Sequence, residues 1–358
     1  MKTKMKYPLI ISNILKLFLE VMGLFIIVYS PLYSQQNNID SLQNILSTAK
    51  EDTNKVNTLN NLAWELKNLG DFEKSLKYSN QATILGEKIN FKKGVANSLN
   101  NIGVVYMNQG NYQDALKYSL SSLKIREEIG DKKGIATSYN NIGIIYDDTG
   151  NYSEALKNYF SSLKIYQQLE DKKGISHVYN NIGFIYYEQG NYPEALKNYF
   201  ASLTIFEEIG DKSGIAFSYN NIGIIYQVQG NYPGALKNYF ASLKIREKIG
   251  DKYGIGASYN NIGIIYAIQG NYPDALKNHF ASLKIREEIG DKIGIATSYN
   301  NIGIIYMDQR NYPEALKNLF ASLKIAEEIG NKAAIAVSFL NIGSIRSEER
   351  RVGKECRL

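Results

Sequence analysis

The chain has little of what catalysis, metal binding and covalent cross-linking require. Its 358 residues include one cysteine, Cys356, so no disulfide can form within the chain. The two histidines, His177 and His279, lie 102 residues apart, and no His/Cys spacing typical of a metal site occurs. The sequence also has no glycine-rich phosphate-binding loop and no Ser–His–Asp arrangement. We therefore expect no catalysis, no metal and no cofactor.

The net charge of the body of the protein is also small. The formal net charge is +6, but residues 1–34 contribute +3 and residues 346–358 contribute +2. Residues 35–345 are therefore close to neutral, at about +1. A nucleic-acid-binding surface needs clustered lysine and arginine side chains. Nucleic acid is not an expected partner.

No apolar run reaches the roughly 18 uninterrupted residues expected of a membrane span. The most apolar stretch, residues 21–29, follows a lysine-containing start, and Lys16 and Glu20 interrupt the sequence before it. A positive start, a short apolar stretch and a small residue before polar sequence are typical of a secretory signal peptide. We predict a signal peptide over residues 1–34, cleaved after Ser34, and a protein that is exported, periplasmic or secreted. The alternative is that this segment is retained as a membrane anchor.

What the chain has in abundance is repetition. The octapeptide Tyr-Asn-Asn-Ile-Gly-Ile-Ile-Tyr occurs at residues 139–146, 219–226, 259–266 and 299–306, with near-copies at 99–106 and 179–186. Successive copies begin 40 residues apart, without insertion or deletion. A fixed period of about 20–50 residues indicates stacked supersecondary units. We predict seven full repeats and a partial eighth over residues 56–345.

Each repeat has the pattern of two antiparallel helices. In residues 211–250, Asp211 is placed to cap a first helix that ends at Gly230. Asn231 starts a second helix, which Gly250 closes as a left-handed cap. The apolar side of the first helix comprises Ile215, Tyr219, Ile222, Gly223 and Tyr226, and that of the second Ala235, Leu236, Tyr239, Phe240, Leu243 and Ile245. The pairs Asn191/Glu194 and Asn311/Glu314 fit the capping-box pattern.

Small residues mark the place where the two helices cross. Gly223 and Ala235 allow the helices to approach closely, and we expect Tyr226 and Tyr232 to fill the space around them. The residues that precede the repeats, 35–55, are predicted to form a capping helix and a linker. This helix would run from about Asp40 to Lys50 with Leu42, Ile45 and Leu46 on one face, because the end of a repeat array needs a cover with a polar outer side.

These residues resemble the signature of the tetratricopeptide repeat. Its aromatic–x–x–Leu–Gly–x–x–Tyr pattern and its later glycine, aromatic and alanine are met by Tyr219, Ile222, Gly223, Tyr226, Gly230, Tyr232 and Ala235. The 40-residue period exceeds the usual 34 and is similar to the branch that includes kinesin light chain and the spindle-orientation adaptors. A signal peptide before such repeats resembles exported bacterial members. The resemblance implies an all-α, right-handed superhelical solenoid of antiparallel helix pairs, with the first helices lining a concave groove.

The resemblance also points to the paired asparagines as a peptide-binding site. An asparagine side chain has a carbonyl acceptor and two N–H donors, so a row of them can hold an extended peptide backbone. In peptide-binding members the second asparagine contacts the ligand, which implies Asn101, Asn141, Asn181, Asn221, Asn261 and Asn301, with Asn140, Asn180, Asn220 and Asn260 beside them. The alternative is that one asparagine of each pair bonds to the neighbouring helix and stabilises stacking.

The choice of partner is assigned to a different set of residues. The two positions that follow each octapeptide vary while the surrounding scaffold does not: Asp147 and Asp148, Tyr187 and Glu188, Gln227 and Val228, Ala267 and Ile268, and Met307 and Asp308. We predict a scaffold that binds a protein or an extended peptide, without a small-molecule cofactor. Membrane contact is expected only through a retained anchor or a further membrane span downstream.

The sequence leaves the repeat pattern at Arg346, where earlier repeats have a tyrosine or, in the first, Leu66. Residues 346–358 resemble translated vector or adapter sequence and are predicted to be an artefactual tail of a truncated chain. If the natural protein continues, an alternative function follows. The repeats would then be the exported sensory half of a signalling protein, either a histidine kinase or a DNA-binding regulator.

Overall fold

The computed structural model describes residues 32–355, and over this range the fold is all-α, with sixteen helices and no strand. The helices are α1 (Leu32–Thr48), α2 (Thr53–Asn68), α3 (Phe72–Lys88), α4 (Lys92–Asn108), α5 (Tyr112–Glu128), α6 (Lys132–Asp148), α7 (Tyr152–Gln168), α8 (Lys172–Glu188), α9 (Tyr192–Ile209), α10 (Lys212–Val228), α11 (Tyr232–Ile249), α12 (Lys252–Ile268), α13 (Tyr272–Ile289), α14 (Lys292–Asp308), α15 (Tyr312–Glu328) and α16 (Lys332–Glu355). From α2 onward, first and second helices of a repeat alternate, which confirms the predicted solenoid of helix pairs.

Two predictions for the ends of the chain lie partly outside the described residues. These are the signal peptide, as far as residue 31, and the artefactual tail, over its last three residues, 356–358. At the other end, α16 continues through Arg346 to Glu355, although the repeat pattern stops at Arg346. None of the helices within residues 32–355 is long and apolar enough to cross a membrane.

Helix α1 begins earlier than predicted and packs through a different face. Ile39 is buried against α2, and Leu42 and Leu46 pack beside it. These three residues are spaced i, i+3 and i+7, so they share one side of the helix. Ile45 lies off that side and is 51% exposed. The prediction that Ile45 belongs to the covered face is therefore wrong.

Most helix boundaries follow the predicted capping residues. Asp211 Oδ1 accepts a hydrogen bond from the backbone N–H of Gly214 at 3.0 Å. Asn231 Oδ1 accepts one from the backbone N–H of Gly234 at 3.1 Å. Gly250 has φ +71°, the left-handed conformation that glycine adopts without steric cost. These contacts satisfy backbone groups that a helix end otherwise leaves unpaired.

The reciprocal capping boxes predicted for two second helices do not form. Asn191 Oδ1 accepts from the N–H of Glu194 at 3.4 Å, but the Glu194 carboxylate pairs with Lys197 Nζ at 3.1 Å. Asn311 makes no side-chain cap at all. A lysine three residues after the glutamate offers the carboxylate a charged donor, and this contact replaces the bond back to the cap residue.

The two helices of a repeat cross where a glycine lies under an aromatic ring. A Cβ atom on Gly223 would lie 2.6 Å from Cε1 of Tyr239, whose side chain is fully buried. The close crossing at Gly223 is confirmed. The ring that fills the space belongs to Tyr239, whereas Tyr226 and Tyr232 pack at the edge of the same cluster.

The second helix presents a different face to the next repeat from the one predicted. Phe240, expected on the buried side, is 44% exposed, whereas Ser242 and Arg246 are buried. Arg246 Nη1 donates to the carbonyl oxygen of Gly254 at 2.7 Å and to Ser258 Oγ at 3.3 Å. Arg126 and Arg286 make the matching bonds to Gly134, Ser138, Gly294 and Ser298. These buried guanidinium groups tie one repeat to the next through charge-assisted hydrogen bonds.

The chain divides into two compact units, one ending at Glu170 and the other beginning at Asp171. Within each unit, a second helix packs against its own first helix and against the first helix of the following repeat. Each repeat therefore contacts mainly its neighbours, as in other solenoid proteins.

Candidate functional site

The candidate site lies on the first helices, around the second asparagine of each pair. We call the face of the first helices that carries these asparagines the first-helix surface. In the second compact unit it comprises Asn181, Asn221, Asn261 and Asn301, on α8, α10, α12 and α14. Residues four before and three and seven after each asparagine share this face because of the helical period. Around Asn221 these are Phe217, Ile224 and Val228, all half-buried or exposed.

The asparagine pairs form a ladder of hydrogen bonds between consecutive first helices. The second asparagine of a repeat donates its Nδ2–H to Oδ1 of the first asparagine in the preceding repeat. These bonds are Asn141 to Asn100 at 2.9 Å, Asn221 to Asn180 at 3.4 Å, Asn261 to Asn220 at 3.1 Å, Asn301 to Asn260 at 2.9 Å and Asn341 to Asn300 at 2.9 Å. These bonds to the neighbouring helix are the contacts that the alternative prediction, a role of the asparagines in stacking, requires.

The ladder divides the predicted peptide-binding set into two groups. Among the first asparagines of the pairs, Asn180, Asn220 and Asn260 are buried, so the prediction that these three side chains meet a ligand is wrong. Asn140 is half-buried. Asn101 is also buried, and its Nδ2–H donates to the backbone carbonyl of Asn60 at 3.0 Å. The second asparagines Asn141, Asn181, Asn221, Asn261 and Asn301 are half-exposed. Because a side-chain amide has two N–H donors and a carbonyl acceptor, a laddered asparagine keeps capacity for a ligand.

Breaking one rung of the ladder should lower stability. Asn261→Ala leaves the Oδ1 of buried Asn220 without its donor, and we expect a loss of about 1–2 kcal/mol in the free energy of unfolding. Asn238→Ala is the matched control, since its Nδ2–H donates within its own helix to Gly234 O at 2.8 Å. Urea denaturation of both variants measures the difference. Equal losses in the two variants would contradict a role for the ladder in stacking.

The five pairs predicted to choose the partner also separate into inner and outer residues. Gln227 is only 7% exposed, and its Oε1 accepts a hydrogen bond from the Tyr239 hydroxyl at 2.7 Å. The prediction that Gln227 lies open to a partner is wrong, because its side chain anchors the second helix. The corresponding Tyr187 and Met307 pack half-buried beside the second helices of their repeats. Asp147 and Ala267 are likewise half-buried.

The second residue of each pair is turned further outward. Val228 is 36% exposed and Ile268 is 38% exposed, and Asp308 is exposed as well. Asp148 and Glu188 are half-buried. The varied positions that can meet a partner therefore recur every 40 residues, in the last turn of each first helix.

Burial shifts the ionisation of the outer carboxylate on α6. It raises the pKa of Asp148 to about 6. A carboxyl group whose pKa is higher in the folded protein stabilises the fold below its unfolded pKa, and this contribution is lost as the pH rises through the folded pKa. At neutral pH, charged Asp148 therefore opposes folding.

Replacing Asp148 with asparagine should stabilise the protein at neutral pH but not in acid. We expect Asp148→Asn to gain about 1 kcal/mol at pH 7, a value reduced for the partial exposure of this side chain. The gain should vanish near pH 3.5, where the native carboxyl is protonated as well. Urea denaturation at the two pH values tests this. An equal gain at both would show that charge is not the cause.

The histidines do not come together at this surface. His177 is exposed on α8, with its ring 5.3 Å from that of Phe206 in an edge-on contact. His279 is buried on α13 in the place of Tyr239, as its position in the repeat predicts. Within residues 32–355 no three metal-ligating side chains cluster. What the first-helix surface offers chemically is amide groups, apolar side chains and, at intervals, carboxylates.

Sequence comparison identifies the repeat independently. Family profiles described as tetratricopeptide repeat match residues 56–83, 94–168, 174–248, 214–288, 254–307 and 295–329. The matches account for more than half of the chain. Among curated proteins, none matches the chain by sequence.

Several solved structures are similar in fold. One is the apo form of the quorum sensor NprR from B. thuringiensis, with a TM-score of 0.64, 16% identity and coverage of 92% of this chain and 97% of that one. A Rap protein complexed with competence and sporulation factor gives 0.53 and 13%, over 89% and 99%. Aspartyl phosphate phosphatase F from Bacillus subtilis gives 0.59 and 12%, over 88% and 80%. At these identities the likeness shows the fold alone.

Proposed function

The chain belongs to the tetratricopeptide repeat family, and from this we propose that it is a scaffold that binds a peptide or protein partner along the first-helix surface. The observation that carries the proposal is the row of half-exposed asparagines, one per repeat, held in place by the ladder. Each rung fixes one side-chain N–H and so orients the rest of the amide before a partner arrives. Binding groups that are already ordered lose little conformational entropy on association.

Two relatives in fold support a peptide or protein as the partner. The Rap protein was solved with competence and sporulation factor, and NprR is described as a quorum sensor. The same fold is also found in a protein named as an aspartyl phosphate phosphatase. We nevertheless propose that this chain acts by binding rather than by catalysis. The only buried histidine, His279, has its pKa lowered to about 3 by burial and by nearby Arg286, so it is a poor proton carrier at neutral pH.

Selection of a random peptide library on the purified full chain tests the proposal. We expect binders whose capture is abolished by Ala257→Arg, which places a long charged side chain on the first-helix surface. The corresponding position on α8, α10 and α14 carries His177, Phe217 and Thr297, so larger side chains are tolerated there. Ala281→Arg is the matched control, half-buried on second helix α13. Failure to recover any binder, or binders lost equally in both variants, would overturn the proposal.

A sensory role is the second candidate, and likeness to a described quorum sensor favours it. In that case the same surface binds an extracellular peptide that carries a signal between cells, and this binding is the input of a signalling protein. We also propose that the chain is exported, on the basis of the signal-like pattern of residues 1–34. Fusion of residues 1–40 to alkaline phosphatase, which is active only after export, tests this. An inactive fusion that accumulates in the cytoplasm would contradict export.

A further inference from the structure

Charge is distributed unevenly over the first helices of the second compact unit. Residues 213–228 on α10 and 253–268 on α12 contain no charged side chain. The helices on either side each carry a carboxylate in the last turn, Glu188 on α8 and Asp308 on α14. The first-helix surface of this unit therefore has an uncharged centre between two acidic positions.

The centre is apolar as well as uncharged. The residues that correspond to Glu188 and Asp308 are Val228 and Ile268, whose side chains are 36% and 38% exposed. Single exposed apolar residues are common on protein surfaces. Here two large ones occupy the same place on adjacent helices, which the bond from Asn261 to Asn220 holds side by side. Phe217 and Ile224 extend the apolar area along α10.

The asparagines beside this area select the backbone conformation of an occupant. Asn221 and Asn261 are half-exposed, and each has bonding capacity beyond its rung of the ladder. A helical peptide has already paired its backbone groups internally, whereas an extended one still needs partners. The amides therefore favour an extended chain.

The distance between the acidic positions sets the length of the occupant. Packed helices lie about 8–10 Å apart, so three steps from α8 to α14 span on the order of 30 Å. An extended chain rises about 3.3 Å per residue, and about nine residues cover that span.

From the proposed binding function we infer a specific class of partner: an extended peptide with an apolar centre and a lysine or arginine at each end, about nine residues apart. The apolar side chains of the peptide lie on Val228 and Ile268. Its cationic ends face Glu188 and Asp308, where Coulomb attraction to the carboxylates fixes the register.

The test uses three fluorescein-labelled peptides and the purified full chain. The first peptide has two lysines at each end of a nine-residue centre of leucine, valine and threonine. The second has glutamates in place of the lysines, and the third has serine throughout its centre. We expect fluorescence anisotropy at 50 mM salt to show the first peptide binding at least tenfold more tightly than either of the others. The preference over the glutamate peptide should shrink at 500 mM salt, because salt screens the charges.

Substitutions show which residues provide the charge preference and which provide the apolar contact. The pair Glu188→Gln and Asp308→Asn should remove the preference for lysine over glutamate ends while binding of the common centre persists. The pair Val228→Ser and Ile268→Ser should weaken the lysine peptide at least tenfold. Phe240→Ser, at an exposed apolar residue on second helix α11, is the control and should leave binding of all three peptides unchanged. Circular dichroism confirms that each variant is folded.

The outcomes separate this inference from the function on which it rests. If lysine-ended and glutamate-ended peptides bind equally, or the serine centre binds as well as the apolar one, the inferred partner class is overturned. Random-library binders blocked by Ala257→Arg would then still support a binding scaffold. If no library peptide binds, the proposed function fails and the partner class fails with it.

Discussion

Replacing Gly223 with alanine is expected to lower the free energy of unfolding by about 1–3 kcal/mol, although alanine is the better helix former. The added Cβ would lie 2.6 Å from Cε1 of Tyr239, well inside contact distance. The ring cannot move aside easily, because it is fully buried and its hydroxyl is bonded to Gln227. Urea denaturation monitored by circular dichroism measures the loss.

The chain contains its own control for this substitution. Gly343 is the corresponding glycine on α16, but a Cβ there would meet nothing within 4 Å. Gly343→Ala should therefore stabilise the protein by up to about 1 kcal/mol through helix propensity alone. The two substitutions are chemically identical and should have opposite signs. If Gly223→Ala is stabilising too, the close crossing beneath Tyr239 is not a packing constraint.

Acid is expected to destabilise the repeat formed by α12 and α13, through His279 on α13. Burial, with a smaller contribution from Arg286, lowers the pKa of this side chain from 6.5 to about 3. The unfolded chain therefore takes up the proton first, so stability is complete above pH 6.5 and falls as the pH drops toward 3. Between pH 7 and pH 4 the expected loss is on the order of 3 kcal/mol. Hydrogen exchange of amides in α13 at the two pH values reports it locally.

His279→Leu isolates this contribution, because the repeat formed by α14 and α15 shows that leucine fits. Leu319 takes the same position there, fully buried over Gly303. The variant should lose the part of the acid sensitivity that His279 causes, while carboxylates elsewhere continue to titrate in both proteins. Identical pH dependence of exchange in α13 before and after the substitution would show that His279 does not titrate as its burial indicates.

Much of the fold could be predicted because the repeat is local. The sequence alone predicts the 40-residue period, the caps at Asp211 and Asn231 and the glycine at the helix crossing. The predicted burial of side chains was wrong where two repeats contact each other. Phe240 and Arg246 are six residues apart, and only contacts with the next repeat decide that the arginine is buried and the phenylalanine exposed. A signal was present in the glycine at 254, which leaves room for the arginine side chain.

The helix face that carries the asparagines could be predicted from the sequence, but the burial of each side chain could not. Both asparagines of a pair are polar, and no pattern along the sequence tells which one is buried. The ladder decides it, because the donor and acceptor lie 41 residues apart. Gln227 was misplaced for a related reason. Its partner is the hydroxyl of Tyr239, on the other helix of the repeat.

The ladder has a consequence for how such a protein can change its length. Every rung in the second compact unit joins the same two atom types, so loss of residues 211–250 would leave Asn180 as acceptor and Asn261 as donor for a new rung. The 40-residue period means that removal or insertion of one whole block keeps every later repeat in the same register. The hydrogen bond between the two repeats that become neighbours would form again each time. Shortening or lengthening the array therefore alters the reach of the first-helix surface while the way in which its parts connect stays the same.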